Sequence, residues 1–157
     1  MSTRTGRTLV LGIGNLLMGD EGIGVHAIRR LESSAPLPEG VDVVDGGTGG
    51  FHLLSYFEEY GSIIMIDATM DGNPPGTIRT LKPKFASDYP KTLTAHDIGL
   101  KDLVETAAIL EHSPDITLIT VSIETMQPMQ TELSRQVASC LPGLERLVRD
   151  LLERGKA

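Results

Sequence analysis

The sequence predicts a three-layer α/β/α domain around a largely parallel sheet, and three observations predict it. Thr8–Ile13 is rich in leucine and valine without the polar alternation of a one-sided strand, as expected where helices cover both faces, and the apolar Ser62–Ile66 and the β-branched Ile116–Ile123 read as further buried strands. Stretches with apolar residues at helical spacing stand between and after these runs. The 157 residues with 40% hydrophobic content suffice for one full core, so residues 1–157 are expected to form a single domain. Strands alternating with helices feed parallel pairing through crossover connections.

Along the chain, Thr8–Ile13 reads as the central strand. From Gly22 to Glu32, Ile23, Ala27, Ile28 and Leu31 recur on one helical face until SSAPLPEG stops the helix. Val41–Val44 reads as a short strand, GGTGG as a turn, and Phe51–Tyr60 as a helix with Leu53, Leu54 and Phe57 inward. Ser62–Ile66 is the next strand. DGNPPG at 71–76 is dense in turn formers and releases into TIRTLKP, an edge strand or hairpin arm. Lys82–Thr94 is irregular, and a helix is expected from about Asp97 to Leu110. The β-branched run ITLITVSI forms another buried strand. Thr131–Glu153 is helical, with Pro142 forcing a kink or a restart because it lacks a backbone donor.

A net charge of −7 argues against binding nucleic acid or anionic membranes, since no basic cluster interrupts the acidic balance. Cys140 is the only cysteine, which excludes an internal disulfide and a thiolate zinc cluster and suits a reducing compartment, the cytoplasm by default. Arg4 and Arg7 before LVLGIGNLLM imitate a signal peptide, but Asn15, two glycines and the acids that follow read instead as a strand and turn. No other apolar run approaches bilayer-spanning length, so no membrane insertion is expected.

Chemistry-bearing residues gather where strands end. LVLGIGNLLMGDEGIG delivers Asp20 and Glu21 after a glycine turn, VDVVD ends in Asp45, SIIMID ends in Asp67, and His96 stands in the polar turn TAHD. In an open α/β sheet the crevice beyond the carboxyl ends of the strands is where ligands bind. GIGN begins a dinucleotide fingerprint, but Leu17 occupies the third glycine position and two acids would face the pyrophosphate. The cluster Gly46, Gly47, Gly49, Gly50 lacks a phosphate-loop lysine; it reads as a sharp turn or as a backbone surface for an extended peptide.

Each acid also has an ordinary explanation. Asp20 or Glu21 would serve the free N–H groups of the following helix, and Asp45 could cap the GGTGG turn. Asp67 is harder to dismiss, because an acid ending SIIMI is costly to desolvate without a partner or cation. Glu21, Asp67 and His96 together offer two oxygens and a nitrogen, a set suited to a borderline divalent ion with open positions. There is no HExxH helix and no GxSxG elbow; Cys140 sits in an apolar helical stretch, His26 and His52 fall in expected helices, and His112 falls at a helix end. A zincin or a serine hydrolase is disfavoured.

The chain resembles, end to end, the hydrogenase maturation endopeptidases, which trim the C-terminal tail from the large subunit of [NiFe] hydrogenases. GIGNLLMGDEGIGV matches the opening GxGNxLxxDxGxG pattern, VDVVDGGTGG the DGGT segment, IIMIDAT the apolar strand ending in Asp, and TAHDIGL the histidine turn. The resemblance implies a twisted five-stranded mixed sheet, mostly parallel with one antiparallel strand, for which TIRTL is the candidate. It implies a metal-contacting trio of Glu21, Asp67 and His96, and an aspartic-type hydrolase whose catalytic candidates are Asp45, Asp67 and Glu21. The implied partner is a nickel-loaded large-subunit precursor; the nickel travels with the precursor, and cadmium or zinc could replace it in crystals. The position of Glu21 is Asp or Glu among relatives. A monomer is expected. The competing reading is a nickel-recognising maturation chaperone that binds the precursor without cutting it.

Overall fold

The computed structural model describes residues 6–48, 53–83, 88, 90, 105–106, 109 and 114–155. Its elements run β1 (Thr8–Gly12), α1 (Ile23–Ser33), β2 (Val41–Asp45), α2 (Leu54–Glu59), β3 (Ser62–Thr69), β4 (Ile78–Leu81), β5 (Asp115–Ser122), α3 (Arg135–Ala138) and α4 (Leu141–Gly155), with a 3-10 turn at Gly19–Gly22. Five strands form one sheet in the order β2-β1-β3-β5-β4. The first four pair in parallel, and β4 closes the edge antiparallel to β5. TIRTL is therefore the antiparallel strand, as expected.

Alternation along the strands explains the layers. Val10, Ile64, Ile66, Ile119 and Val121 face one side and pack with Ile23, Ala27, Ile28 and Leu31 of α1 and Leu144, Val148 and Leu152 of α4. Leu9, Leu11, Ile63, Met65 and Leu118 face the other side, against Leu53, Phe57 and Tyr60 at α2. Because β1 and β3 are apolar on both faces, their sequence shows no period of two. Each buried aliphatic or aromatic side chain of these layers contributes about 1.5–3 kcal/mol relative to exposure.

Some boundaries differ from expectation. β3 does not stop before Asp67 but continues to Thr69, because β5 keeps pairing with it: Asp67 opposes Thr120 and Thr69 opposes Ser122. The segment after residue 131 starts as an extended stretch, turns once through α3 and restarts as α4 with Pro142 in its first turn. That is where a missing N–H costs no helical bond. Ser134 caps α3 by accepting from the Val137 N–H. Of the helix expected at 97–110, Glu105, Thr106 and Ile109 are described, and all are helical; the remainder lies outside the described residues. No helix among the described residues is long and apolar enough to cross a membrane.

Strand order fixes the crevice. The chain leaves β1 toward β2 on one side and returns to β3 on the other, so the connections diverge at the carboxyl ends of β1 and β3. A ligand site belongs there in an open sheet of this type.

Candidate active site

The glycine turn after β1 shapes the floor of this crevice. Gly12 and Gly24 bring β1 against the start of α1; a methyl group on Gly12 would overlap the Gly24 carbonyl, and one on Gly24 would overlap the carbonyls of Ile13 and Ile66. The Ile13 N–H donates to the Ile66 carbonyl at 2.9 Å, which stitches the turn to β3 just before Asp67. Asn15 then organises the loop: its side-chain oxygen accepts from the Leu17 N–H at 2.9 Å, its carbonyl accepts from the Met18 N–H at 3.0 Å, and its own N–H donates to Glu21 Oε2. The 3-10 turn follows, and both of its acids are buried, Asp20 at 2% and Glu21 at 1% exposure.

The N-cap position of α1 is Gly22, which has no side chain to offer, and both acids make bonds away from the helix start. Glu21 turns back to the Asn15 amide. Asp20 reaches across the fold: Oδ1 accepts from the Ser134 N–H at 2.7 Å and Oδ2 from Gln127 Nε2 at 3.2 Å.

Asp67 is fully buried on the α2 side of β3, sharing the parity of Ile63 and Met65. Its Oδ1 accepts from the Ala68 N–H at 2.8 Å, while among the described residues no donor reaches Oδ2. Burial pushes this carboxyl well above the usual carboxylate range; the Ala68 N–H pulls it back, and the Glu21 charge pushes it further up. A buried carboxylate oxygen without a partner calls for a proton or a cation, since leaving the charge bare costs several kcal/mol, of the order of 1–3 or more. Thr120, 2% exposed, stands beside Asp67 in register on β5.

Asp45 differs from the other acids. It is exposed at the end of β2, aligned with Gly12 on β1, and its Oδ1 accepts from the Gly47 N–H at 2.8 Å. The turn-capping role is therefore present. The same DGGT segment is tied to the glycine turn, Gly46 N–H to the Gly12 carbonyl at 2.8 Å and Gly14 N–H to the Gly47 carbonyl at 2.7 Å, so Asp45 borders the same rim. His96, His52 and His112 lie outside the described residues. Among the described residues no group of three or more His, Cys, Asp or Glu side chains could hold a metal ion; Glu21 and Asp67 are coupled through the Glu21 charge, which raises the Asp67 pKa.

His26 and Cys140 stand in other surroundings. His26, on α1, has Nε2 2.9 Å from the Thr131 carbonyl, and burial lowers its pKa. The Cys140 thiol, half-buried between α3 and α4, is pushed up to about 11 by burial and by the nearby Asp20 charge. Sequence reasoning missed Gln127 and Ser134 altogether, and the polar interruption at Thr120 in ITLITVS was the only local signal of a buried polar neighbour for Asp67.

The profile of the hydrogenase maturation protease family matches residues 25–150. The chain belongs to the hydrogenase maturation protease family. Within the family it is 33% identical to the hydrogenase 2 maturation protease of Escherichia coli (strain K12) over 152 residues, covering 95% of this chain and 93% of that protein. It is 40% identical over 118 residues to the hydrogenase expression/formation protein HupD of Rhodobacter capsulatus, covering 72% of this chain and 55% of that protein; the chain thus spans about half the length of that relative. Among solved structures, the hydrogenase maturating endopeptidase HybD from E. coli superposes with a TM-score of 0.85 at 31% identity, covering 94% of this chain and 93% of that one. The hydrogenase maturation protease fold thus extends over nearly the whole chain.

Proposed function

We propose that this chain is an endopeptidase that removes the C-terminal peptide from the nickel-loaded large-subunit precursor of a [NiFe] hydrogenase. The observation that carries the reading beyond family membership is the fully buried Asp67 Oδ2, which no donor among the described residues reaches and whose carboxyl the Glu21 charge pushes up further. Two acids whose charges oppose each other, one of them fully buried, are a poor resting arrangement and a good receptor for a cation, which relieves both desolvation and mutual repulsion.

In this reading the cation is the precursor's own nickel, part of the substrate. Glu21 and Asp67 engage it from its exposed side, and His96 supplies the nitrogen ligand. Docking through the metal places the scissile peptide over the rim formed by the glycine turn and the DGGT segment, a gain in positioning that requires no recognition of long sequence. Carboxylates then hold and move the proton of the attacking water, with Asp67, Glu21 and exposed Asp45 as the candidates. The activity is accordingly an aspartic type of hydrolysis gated by metal recognition. The single cysteine supports a cytoplasmic site of action, and the reading takes the working form as a monomer.

The test is incubation of the purified protein with a nickel-loaded large-subunit precursor, followed by the intact mass of the large subunit. Loss of a C-terminal peptide, absent with nickel-free precursor, is the expected result. Stable association without loss of mass would replace the protease with a maturation chaperone. Cleavage of nickel-free precursor at the same rate would remove the metal from recognition.

A further inference from the structure

Asp20 is one residue from Glu21, is 2% exposed, and points away from the crevice. It takes part in a closed ring with Gln127: the Asp20 N–H donates to Gln127 Oε1 at 2.8 Å, and Gln127 Nε2 donates back to Asp20 Oδ2 at 3.2 Å. Its other oxygen accepts from the Ser134 N–H at 2.7 Å. Backbone bonds run beside the ring, Gly19 N–H to the Gln130 carbonyl at 2.7 Å, Gln127 N–H to the Met18 carbonyl at 3.2 Å and Gln130 N–H to the Leu17 carbonyl at 3.2 Å. Gly19, at φ 59°, has no room for a side chain, because a Cβ there would run into the Gln127 side chain. The turn that carries Glu21 is thus clasped to the loop after β5.

We propose that Asp20 is the positioning residue of the active site: through Gln127 and Ser134 it fixes the 3-10 turn, and so holds the Glu21 carboxylate in place under the Asn15 N–H and beside Asp67. This rests on the protease reading above for its activity readout only. Within the turn the Glu21 N–H donates to the Met18 carbonyl at 3.3 Å. Releasing the Asp20 side chain loosens the turn that carries Glu21.

Donor and acceptor counting makes the proposal specific. In Asp20→Asn, the amide must put its NH2 either toward the Ser134 N–H or toward Gln127. Facing Gln127, it meets the Nε2 donor; if Gln127 flips, Nε2 meets the Asp20 main-chain N–H instead. Every arrangement leaves two donors opposed. Adding Gln127→Glu restores a full set: one glutamate oxygen accepts from the main-chain N–H at position 20, the other from the new NH2, and the Asn oxygen keeps Ser134. Net charge is unchanged in the pair.

The experiment compares parent, D20N, Q127M and the D20N/Q127E pair. The first readout is hydrogen exchange of the Asn15 amide, whose acceptor is Glu21, against that of Ile64 in the sheet. D20N is expected to speed Asn15 exchange at least tenfold while Ile64 stays protected, Q127M to do so to a smaller extent, and the pair to restore it. The second readout is cleavage of nickel-loaded precursor at a temperature where all variants are folded: kcat falls at least tenfold in D20N with KM within twofold, and the pair recovers it. Equal loss of protection at Asn15 and Ile64, or no recovery in the pair, overturns the proposal. Should D20N not fold, Q127M and the pair decide it. Parent protein that leaves the precursor uncut overturns the protease reading instead, while the exchange data still judge the clasp.

Discussion

The carbonyl oxygen of Gly24 occupies the space that a side chain on Gly12 would need, so β1 and α1 meet backbone to backbone. This contact sets the depth at which the following turn leaves the sheet, and with it the height of Glu21 over β3. Gly24→Ala is expected to destabilise the fold by about 1–3 kcal/mol or more, because the new methyl meets rigid carbonyls and not flexible side-chain ends. Chemical denaturation measures it, and a loss below about 0.5 kcal/mol would show that the turn can move aside.

Asp67→Asn should cut precursor processing by at least about 100-fold, the low end for loss of a proton-transferring group. The fold should persist. Asp67 has a native pKa raised above its ordinary 3.8, so its favourable contribution is fully present below that value and is lost as pH climbs through the raised native pKa. The Asn variant should lack this loss and be at least as stable as the parent at neutral pH. Thermal melts across the pH range decide the point; a parent whose stability rises through the same window on account of Asp67 contradicts it.

Removing the neighbouring charge should be visible on Asp67 itself. In Glu21→Gln the carboxyl of Asp67 should titrate at lower pH than in the parent, because one of the causes that raise it is gone while burial remains. Carbon-13 NMR of the labelled carboxyl reads this directly. An unchanged midpoint would mean that the two acids do not sense each other.

Met129, at the tip of the loop after β5, is the one non-glycine residue with positive φ among the described residues, at 64°, and its side chain is 85% exposed. Holding an L side chain in that region is unfavourable by about 1–2 kcal/mol, against a smaller entropic cost for glycine. Met129→Gly should therefore raise stability by up to about 1 kcal/mol. A lower melting temperature would reveal a packing role for the thioether.

Cys140 should be a poor nucleophile. With its thiol pushed up to about 11, the thiolate share at pH 8 is on the order of one in a thousand. Iodoacetamide at that pH should label it slowly and leave processing intact. Fast labelling accompanied by loss of cleavage would point to a cysteine mechanism.

Much of the fold was legible because its central strands are apolar on both faces, and Thr8–Gly12, Ser62–Thr69 and Asp115–Ser122 carry that signature regardless of tertiary detail. The end of β3 was misplaced because an acid in an apolar run reads as a strand exit, whereas cross-strand pairing with β5 carries the backbone two residues past Asp67. Glu21 and Asp67 were visible as acids set against hydrophobic sequence. The Asp20–Gln127 ring was not, since its members stand 107 positions apart and share no periodicity. The turn-capping alternative for Asp45 was legible from the GGTGG that follows it, and the Gly47 N–H bond bears it out, while only the structure distinguishes its exposed carboxylate from the buried pair.

Because the Asp20 carboxylate accepts from Gln127 and Ser134, 107 and 114 positions further along, most of the polypeptide must be synthesised before the turn that carries Glu21 is braced. A nascent chain that has made its first strand, helix and acids still lacks the brace.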